Sequence, residues 1–148
     1  MKKALITGVT GQDGSYLADF LLKKNYQVFG SYRRTSHRQF ERLEAMNILD
    51  KVKLIYADLI DQTSLNRLVK RVQPDEIYNL AAQSFVGVSF VEPFLTTEVT
   101  GIGALRIFEA VKEFSPKSKI YQASSSEMFG NSEEIKTENS RLQPASPY

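Results

Sequence analysis

The stretch Ala4-Leu5-Ile6-Thr7-Gly8-Val9-Thr10-Gly11-Gln12-Asp13-Gly14 decides how the rest of the chain is read. A short apolar run passes straight into Gly8, Gly11 and Gly14, and an amphipathic segment begins at once. Glycine permits a tight turn and lets the backbone come close to a phosphate. A helix that follows turns its free N–H groups and positive dipole end toward the same anion. Strand, glycine turn and helix in that order is how a dinucleotide is held at the start of a doubly wound sheet. The spacing is Gly-x-x-Gly-x-x-Gly rather than Gly-x-Gly-x-x-Gly, and glycines at strand ends often do no more than make turns. The strand before, the helix after and the N-terminal position favour nucleotide binding over a plain structural turn.

Outward from this stretch, hydrophobic patterning and breakers predict an alternating series. Strands are expected at Lys3–Thr7, Gln27–Ser31, Val52–Tyr56, Glu76–Asn79 and Lys119–Ala123, short apolar runs suited to burial on both faces. Helices are expected at Gln12–Lys24, Phe40–Leu49, Thr63–Val72 and Thr96–Glu113. In the first of these, Tyr16, Leu17, Phe20 and Leu21 recur at helical spacing and are expected to face the sheet. Asp61 is expected to cap the third helix, with Pro74 closing it and Pro116 closing the fourth. The fold class that follows is α/β, a doubly wound parallel sheet of Rossmann type with right-handed crossovers. Five strands are visible where a full dinucleotide fold usually has six or seven. The chain stops at Tyr148, after the turn-like Gln143-Pro144-Ala145-Ser146-Pro147, which reads as a cut inside a larger enzyme. The expected organisation is one domain over residues 1–148, incomplete at its C-terminus and without a substrate domain.

Composition narrows the classes. Apolar residues make up 42% and charged residues 24%, an ordinary soluble balance, and the net charge of +2 argues for no nucleic-acid partner. No apolar run approaches membrane-spanning length, so no membrane partner is expected. Met1-Lys2-Lys3 and its short apolar sequel do not make a signal peptide. Cysteine is absent, which removes disulfides and cysteine-ligated metal and is compatible with a cytoplasmic address. His37 is the only histidine, stands in a polar basic loop and is read as an exposed residue, so no metal site is expected.

The coenzyme is read from the end of the second strand. An acidic residue there accepts bonds from the adenosine ribose, whereas an arginine accommodates a 2′-phosphate. Counting about twenty residues on from the glycine loop reaches Ser31-Tyr32-Arg33-Arg34, where no acid stands and two arginines do. Guanidinium groups suit a phosphate dianion, which favours NADP over NAD. The competing role for these arginines is pairing with surface carboxylates such as Glu41. Asp58 stands where the adenine would lie, or alternatively caps the helix that follows; the two readings are equal. Ala81-Ala82-Gln83 ends the fourth strand with small residues that let a coenzyme approach, and such residues also suit tight packing.

With these residues in place, the chain resembles the N-terminal part of the GDP-mannose 4,6-dehydratases, a family within the extended short-chain dehydrogenase/reductases. The matching segments are Thr7 to Leu17, Arg33-Arg34-Thr35-Ser36, Tyr78-Asn79-Leu80-Ala81-Ala82-Gln83-Ser84, Tyr121 to Gly130 and Ser146-Pro147-Tyr148. The glycine motif and alanine-rich turn belong to the superfamily at large. Gln12-Asp13-Gly14-Ser15, the double arginine and the Ser-Glu pair are more particular to these dehydratases.

The resemblance implies an internal redox dehydration of a GDP-sugar. It places coenzyme contacts at Gly8, Thr10, Gly11, Gln12, Asp13, Gly14, Arg33, Arg34, Asp58, Leu59, Ala81, Ala82 and Gln83. It also implies that Ser125 hydrogen-bonds the reacting hydroxyl and that Tyr148 is the active-site tyrosine. Glu127 would be the acid–base group that removes the C5 proton. The lysine of Tyr-x-x-x-Lys would fall beyond Tyr148, so the fragment alone is expected to be inactive. The segment from Arg33 to about Arg42 looks like the arginine-rich loop that reaches a neighbouring subunit's coenzyme, which implies a homo-oligomer, a dimer or tetramer. Ser125 has a competing role as a backbone cap, and Glu127 one as a solvated loop residue among Glu133, Glu134 and Glu138. A nucleotide-sugar epimerase or reductase of the same superfamily and a non-catalytic dinucleotide-binding regulator remain as alternatives. Glu127 separates the dehydratase from the first, since epimerases and reductases perform no elimination.

Overall fold

The computed structural model describes residues 1–131 and 133–148. Its sheet holds β1 (Lys3–Thr7), β2 (Gln27–Tyr32), β3 (Lys53–Tyr56), β4 (Glu76–Asn79) and β5 (Lys119–Gln122) in the order β3-β2-β1-β4-β5. Every pairing is parallel. β1 is central because its residues are apolar on both faces. Ala4 and Ile6 pack with Val9, Ala18, Leu21, Val28 and Leu43 on one side. Leu5 packs with Leu65, Leu68, Val69, Ile77 and Ile107 on the other. Strand order reverses between β1 and β4, so a crevice opens at their C-terminal ends.

The helices are α1 (Gln12–Lys23), α2 (Glu41–Ala45), α3 (Gln62–Val72), α4 (Val86–Val91), α5 (Pro93–Thr96) and α6 (Gly103–Phe114). A π-helical turn, Thr97–Ile102, joins the last two. The expected face of α1 is corrected. Tyr16 and Phe20 are 62% and 55% exposed, while Gly14, Ser15, Ala18 and Leu21 are buried. A close approach of small residues to the glycine turn sets the rotation of this helix, and the bulky residues are carried outward. The second helix is shorter than expected because Asn47 takes a left-handed φ of 55°, and a 3₁₀ turn, Leu49–Lys51, follows. The long helix starts earlier than Thr96, at Pro93, whose fixed φ suits a first helical position. α4 is not expected from sequence, because Phe85-Val86-Gly87-Val88-Ser89-Phe90-Val91 is aromatic and β-branched, a composition that favours strand.

Two local devices anchor the frame. Asp61 caps α3, its Oδ1 accepting from Thr63 N–H at 3.0 Å. At the end of the sheet away from the crevice, the Glu76 carboxylate accepts from Lys2 Nζ (3.1 Å), Tyr26 OH (3.3 Å) and Tyr78 OH (2.9 Å). Burial acts to raise the Glu76 pKa, but these donors together hold it below its ordinary value. Burial first, then the hydrogen bond to Glu76 and its charge, push the Tyr78 phenol up to about 12.

Two outcomes follow. Asp61→Ala lowers unfolding free energy in urea by about 1 kcal/mol, the usual worth of such a cap. Because the folded-state pKa of Tyr78 is raised, its contribution is complete below the ordinary phenol value of about 10. It is lost as pH rises through the folded value of about 12. Tyr78→Phe loses the 2.9 Å bond to Glu76 and is less stable than the unmutated chain at pH 8 by about 1 kcal/mol. Urea midpoints measured toward pH 12 show that difference closing.

Candidate functional site

The crevice is built on the turn after β1. Gly8 takes φ +69°, a left-handed conformation that a side chain would strain, and a Cβ there would stand 3.0 Å from the Ala81 N and Cα atoms. A methyl group at Gly14 would collide with the Gly8 carbonyl. Gly11 N–H donates to Gly8 O at 3.0 Å and closes the turn. Gly11 is also the N-cap of α1 and offers no side-chain bond to it, so the first-turn N–H groups have no side-chain cap, and Gln12, Asp13 and Gly14 of that turn line the crevice. This is a cradle of backbone donors at a positive dipole end, the chemistry that fits a phosphate or pyrophosphate.

The opposite lip is tied down by Thr7. Its hydroxyl donates to Asn79 Oδ1 (2.5 Å) and accepts from the Leu80 and Ala81 N–H groups, both at 3.1 Å. Asn79 Nδ2 then donates to Gln122 Oε1 at 2.7 Å. One row of side chains thus joins the ends of β1, β4 and β5. These three residues were missed as site components. Their signal was a polar residue closing each of three apolar strands.

Two cavities meet at Gly8, Gly11, Ala81 and Ala82. The smaller, about 310 Å³, is lined by Thr10, Arg33, Asp58, Leu59 and Gln83. The larger, about 680 Å³, is lined by Gln12, Asp13, Gly14, Ser125 and Tyr148. Arg34 and Glu127 line neither of them. Neither Arg33 nor Arg34 forms an ion pair among the described residues; the basic loop's pair is Arg38 with Glu44. Arg42 Nη1 reaches back to the Thr10 carbonyl at 3.3 Å. Asp58 does not cap α3, which Asp61 does; its Oδ1 accepts from Ile60 N–H at 3.2 Å in the preceding turn.

Gln83 is committed within the protein. Its Nε2 donates to Phe85 O (3.1 Å) and Thr96 Oγ1 (3.2 Å), and its Oε1 accepts from Phe85 N–H (2.6 Å). Its backbone N–H donates to Thr100 Oγ1 at 3.1 Å, which fixes the loop after β4 to the π-helical turn. That turn carries Thr97, Thr100 and Gly101 into the wall of the larger cavity.

Ser125 plays the capping role and also faces the cavity. Its Oγ accepts from Glu127 N–H at 3.0 Å, at the start of the 3₁₀ turn Ser126–Phe129. Glu127 is half-buried and accepts from Ser146 Oγ at 3.3 Å, so its carboxylate is tied to the segment that delivers Tyr148. Glu127, Ser125 and Tyr148 therefore stand at the same end of the sheet. His37 is exposed, and no group of residues that could hold a metal ion exists among the described residues. No helix among them is long and apolar enough to cross a membrane.

The chain is 50% identical to a GDP-mannose 4,6-dehydratase of Yersinia enterocolitica, aligned over 100% of this chain and 42% of that protein. It thus spans about two fifths of the length of such curated relatives. Among solved structures, the UDP-Glc/GlcNAc 4-epimerase of Campylobacter jejuni superposes with a TM-score of 0.88 at 23% identity, over 100% of this chain and 45% of that one. The Thermus thermophilus UDP-glucose 4-epimerase, solved in complex with NAD, gives 0.84 at 26% identity, over 99% of this chain and 46% of that one. These two likenesses carry the Rossmann-type fold. Residues 5–148 match the family described as GDP-mannose 4,6 dehydratase, and the chain belongs to that family.

Proposed function

We propose that this chain is the coenzyme-binding part of a GDP-mannose 4,6-dehydratase, a lyase that converts GDP-mannose to GDP-4-dehydro-6-deoxy-mannose with NADP. The observation that carries the reading is the meeting of the two cavities at Gly8 and Ala81, with Arg33 in one and Ser125 and Tyr148 in the other. A dinucleotide laid across that junction has its pyrophosphate against the glycine cradle, its adenosine beside Asp58 and its 2′-phosphate beside Arg33. Arg34 adds a second cation to the same loop. A ligand in this pose has its nicotinamide beside Ser125 and Tyr148.

When bound, NADP supplies the acceptor, and later the donor, of a hydride in a cycle that leaves it unchanged. The residues do the rest. Ser125 holds the C4 oxygen of the sugar by a hydrogen bond, and Tyr148 takes the proton from that oxygen. Once C4 is a ketone, the C5 proton is acidic, and the Glu127 carboxylate removes it. The same acid then protonates the hydroxyl leaving C6, so that water departs as the C5–C6 double bond forms. With the hydride returned to C6, Tyr148 gives C5 the proton it took from the C4 hydroxyl, which completes the product and restores the phenolate. The hydrogen bond from Ser146 Oγ orients that carboxylate. The same reading makes the enzyme a cytoplasmic homo-oligomer, a dimer or tetramer.

Fluorescence titration of the chain tests the coenzyme. NADPH binds more tightly than NADH, and Arg33→Ala weakens NADPH about ten-fold while leaving NADH affinity unchanged, in keeping with loss of a charge-assisted phosphate contact. Equal affinities for the two coenzymes contradict the assignment. In a protein of the relatives' full length, Glu127→Gln abolishes formation of the dehydrated sugar, read by mass spectrometry, without changing NADPH affinity. Undiminished product from that variant removes Glu127 from the chemistry.

A further inference from the structure

One hydroxyl dictates how two side-chain amides are turned at the rim of the sheet. Thr7, Asn79 and Gln122 end β1, β4 and β5 and stand in register, Thr7 beside Asn79 and Asn79 beside Gln122. In-register residues project to the same face, so the three side chains form a row. The two N–H groups of Leu80 and Ala81 occupy both lone pairs of the Thr7 hydroxyl. Its single hydrogen therefore goes to Asn79 Oδ1. With Oδ1 committed, Asn79 presents Nδ2 to its other neighbour and donates to Gln122 Oε1.

Gln122, a residue of the larger cavity's wall, is left with its Nε2H₂ group, which meets no protein acceptor among the described residues. Reversing either amide would set donor against donor or acceptor against acceptor along the row. Thr7 and Asn79 are 0% and 1% exposed, so water does not relieve that mismatch. The row thus leaves a fixed, unused amide donor on a residue of the cavity wall.

We propose that Gln122 is a specificity-determining residue of this cavity, donating from Nε2 to an oxygen on the nicotinamide half of the bound dinucleotide. The proposal rests on the coenzyme reading above. Placement selects the half: Gln122 shares its cavity with Ser125 and Tyr148, whereas Arg33 and Asp58 line the other. An amide NH₂ selects an acceptor such as a ribose hydroxyl, a carboxamide carbonyl or a phosphate oxygen. Thr7 acts only through Asn79 and Gln122, as a positioning residue.

The test uses the ¹⁵N-labelled chain and its side-chain amide resonances. Nicotinamide mononucleotide shifts the Gln122 NH₂ pair and slows its exchange with solvent, and 2′,5′-ADP does neither. Gln122→Met weakens NADPH binding about five-fold, the scale of one hydrogen bond. Thr7→Val causes a similar loss, Thr7→Ser restores affinity, and adding Gln122→Met to Thr7→Val costs nothing further. Gln122 resonances indifferent to nicotinamide mononucleotide in a chain that binds NADPH overturn the proposal, whatever the variants do. A chain that binds no NADPH overturns the coenzyme reading, and this proposal with it.

Discussion

The close approach of Gly8 to Ala81, and of Gly14 to Gly8, is the constraint on which the rest of the molecule depends. It brings the start of α1 down onto the turn after β1 and presses the exit of β4 against the same turn. An added side chain would crowd either contact, so the junction of the two cavities is floored by backbone. Backbone at a helix N-terminus is electropositive, and at a strand-order reversal it is also open to ligand. Binding geometry and helix packing are therefore settled by the same glycines.

That constraint also explains what surrounds it. With Gly14 against the turn, the buried stripe of α1 runs through Ser15, Ala18 and Leu21, and Tyr16 and Phe20 are carried to the surface. Across the crevice, Thr7 holds the Leu80 and Ala81 amides, which keeps the alanine-rich lip close to Gly8. Gln83 extends the tie to the π-helical turn through Thr100 and Thr96. The cavity wall is thus a hydrogen-bonded continuation of the sheet rim. Ser125 and Ser146 fix the far side by holding the Glu127 backbone and carboxylate respectively.

Much of this was legible in the residues. β1 and β4 fall where their apolar runs begin and end, and the glycine turn stands where its spacing places it. Asp61 caps α3 because an acceptor directly before a helix has a free N–H within reach. What stayed hidden depends on contacts distant in sequence. The true face of α1 is chosen by contact with the Gly8 carbonyl, which no periodicity within α1 reports. α4 is helical against the preference of its aromatic and β-branched residues. The row Thr7, Asn79 and Gln122 is visible only once the parallel register is known, since 72 residues separate the first two and 43 the last two. Arg34 and Glu127 lie outside the two cavity walls, a placement that neither the arginine pair nor the serine run reports.

A crystal structure of the chain soaked with NADPH tests the central claim most directly. The account requires pyrophosphate density against the first-turn N–H groups of α1, with the 2′-phosphate at Arg33 and the nicotinamide between Gln122 and Tyr148. Dinucleotide density elsewhere on the molecule, or a pyrophosphate held away from Gly11 and Gly14, contradicts it.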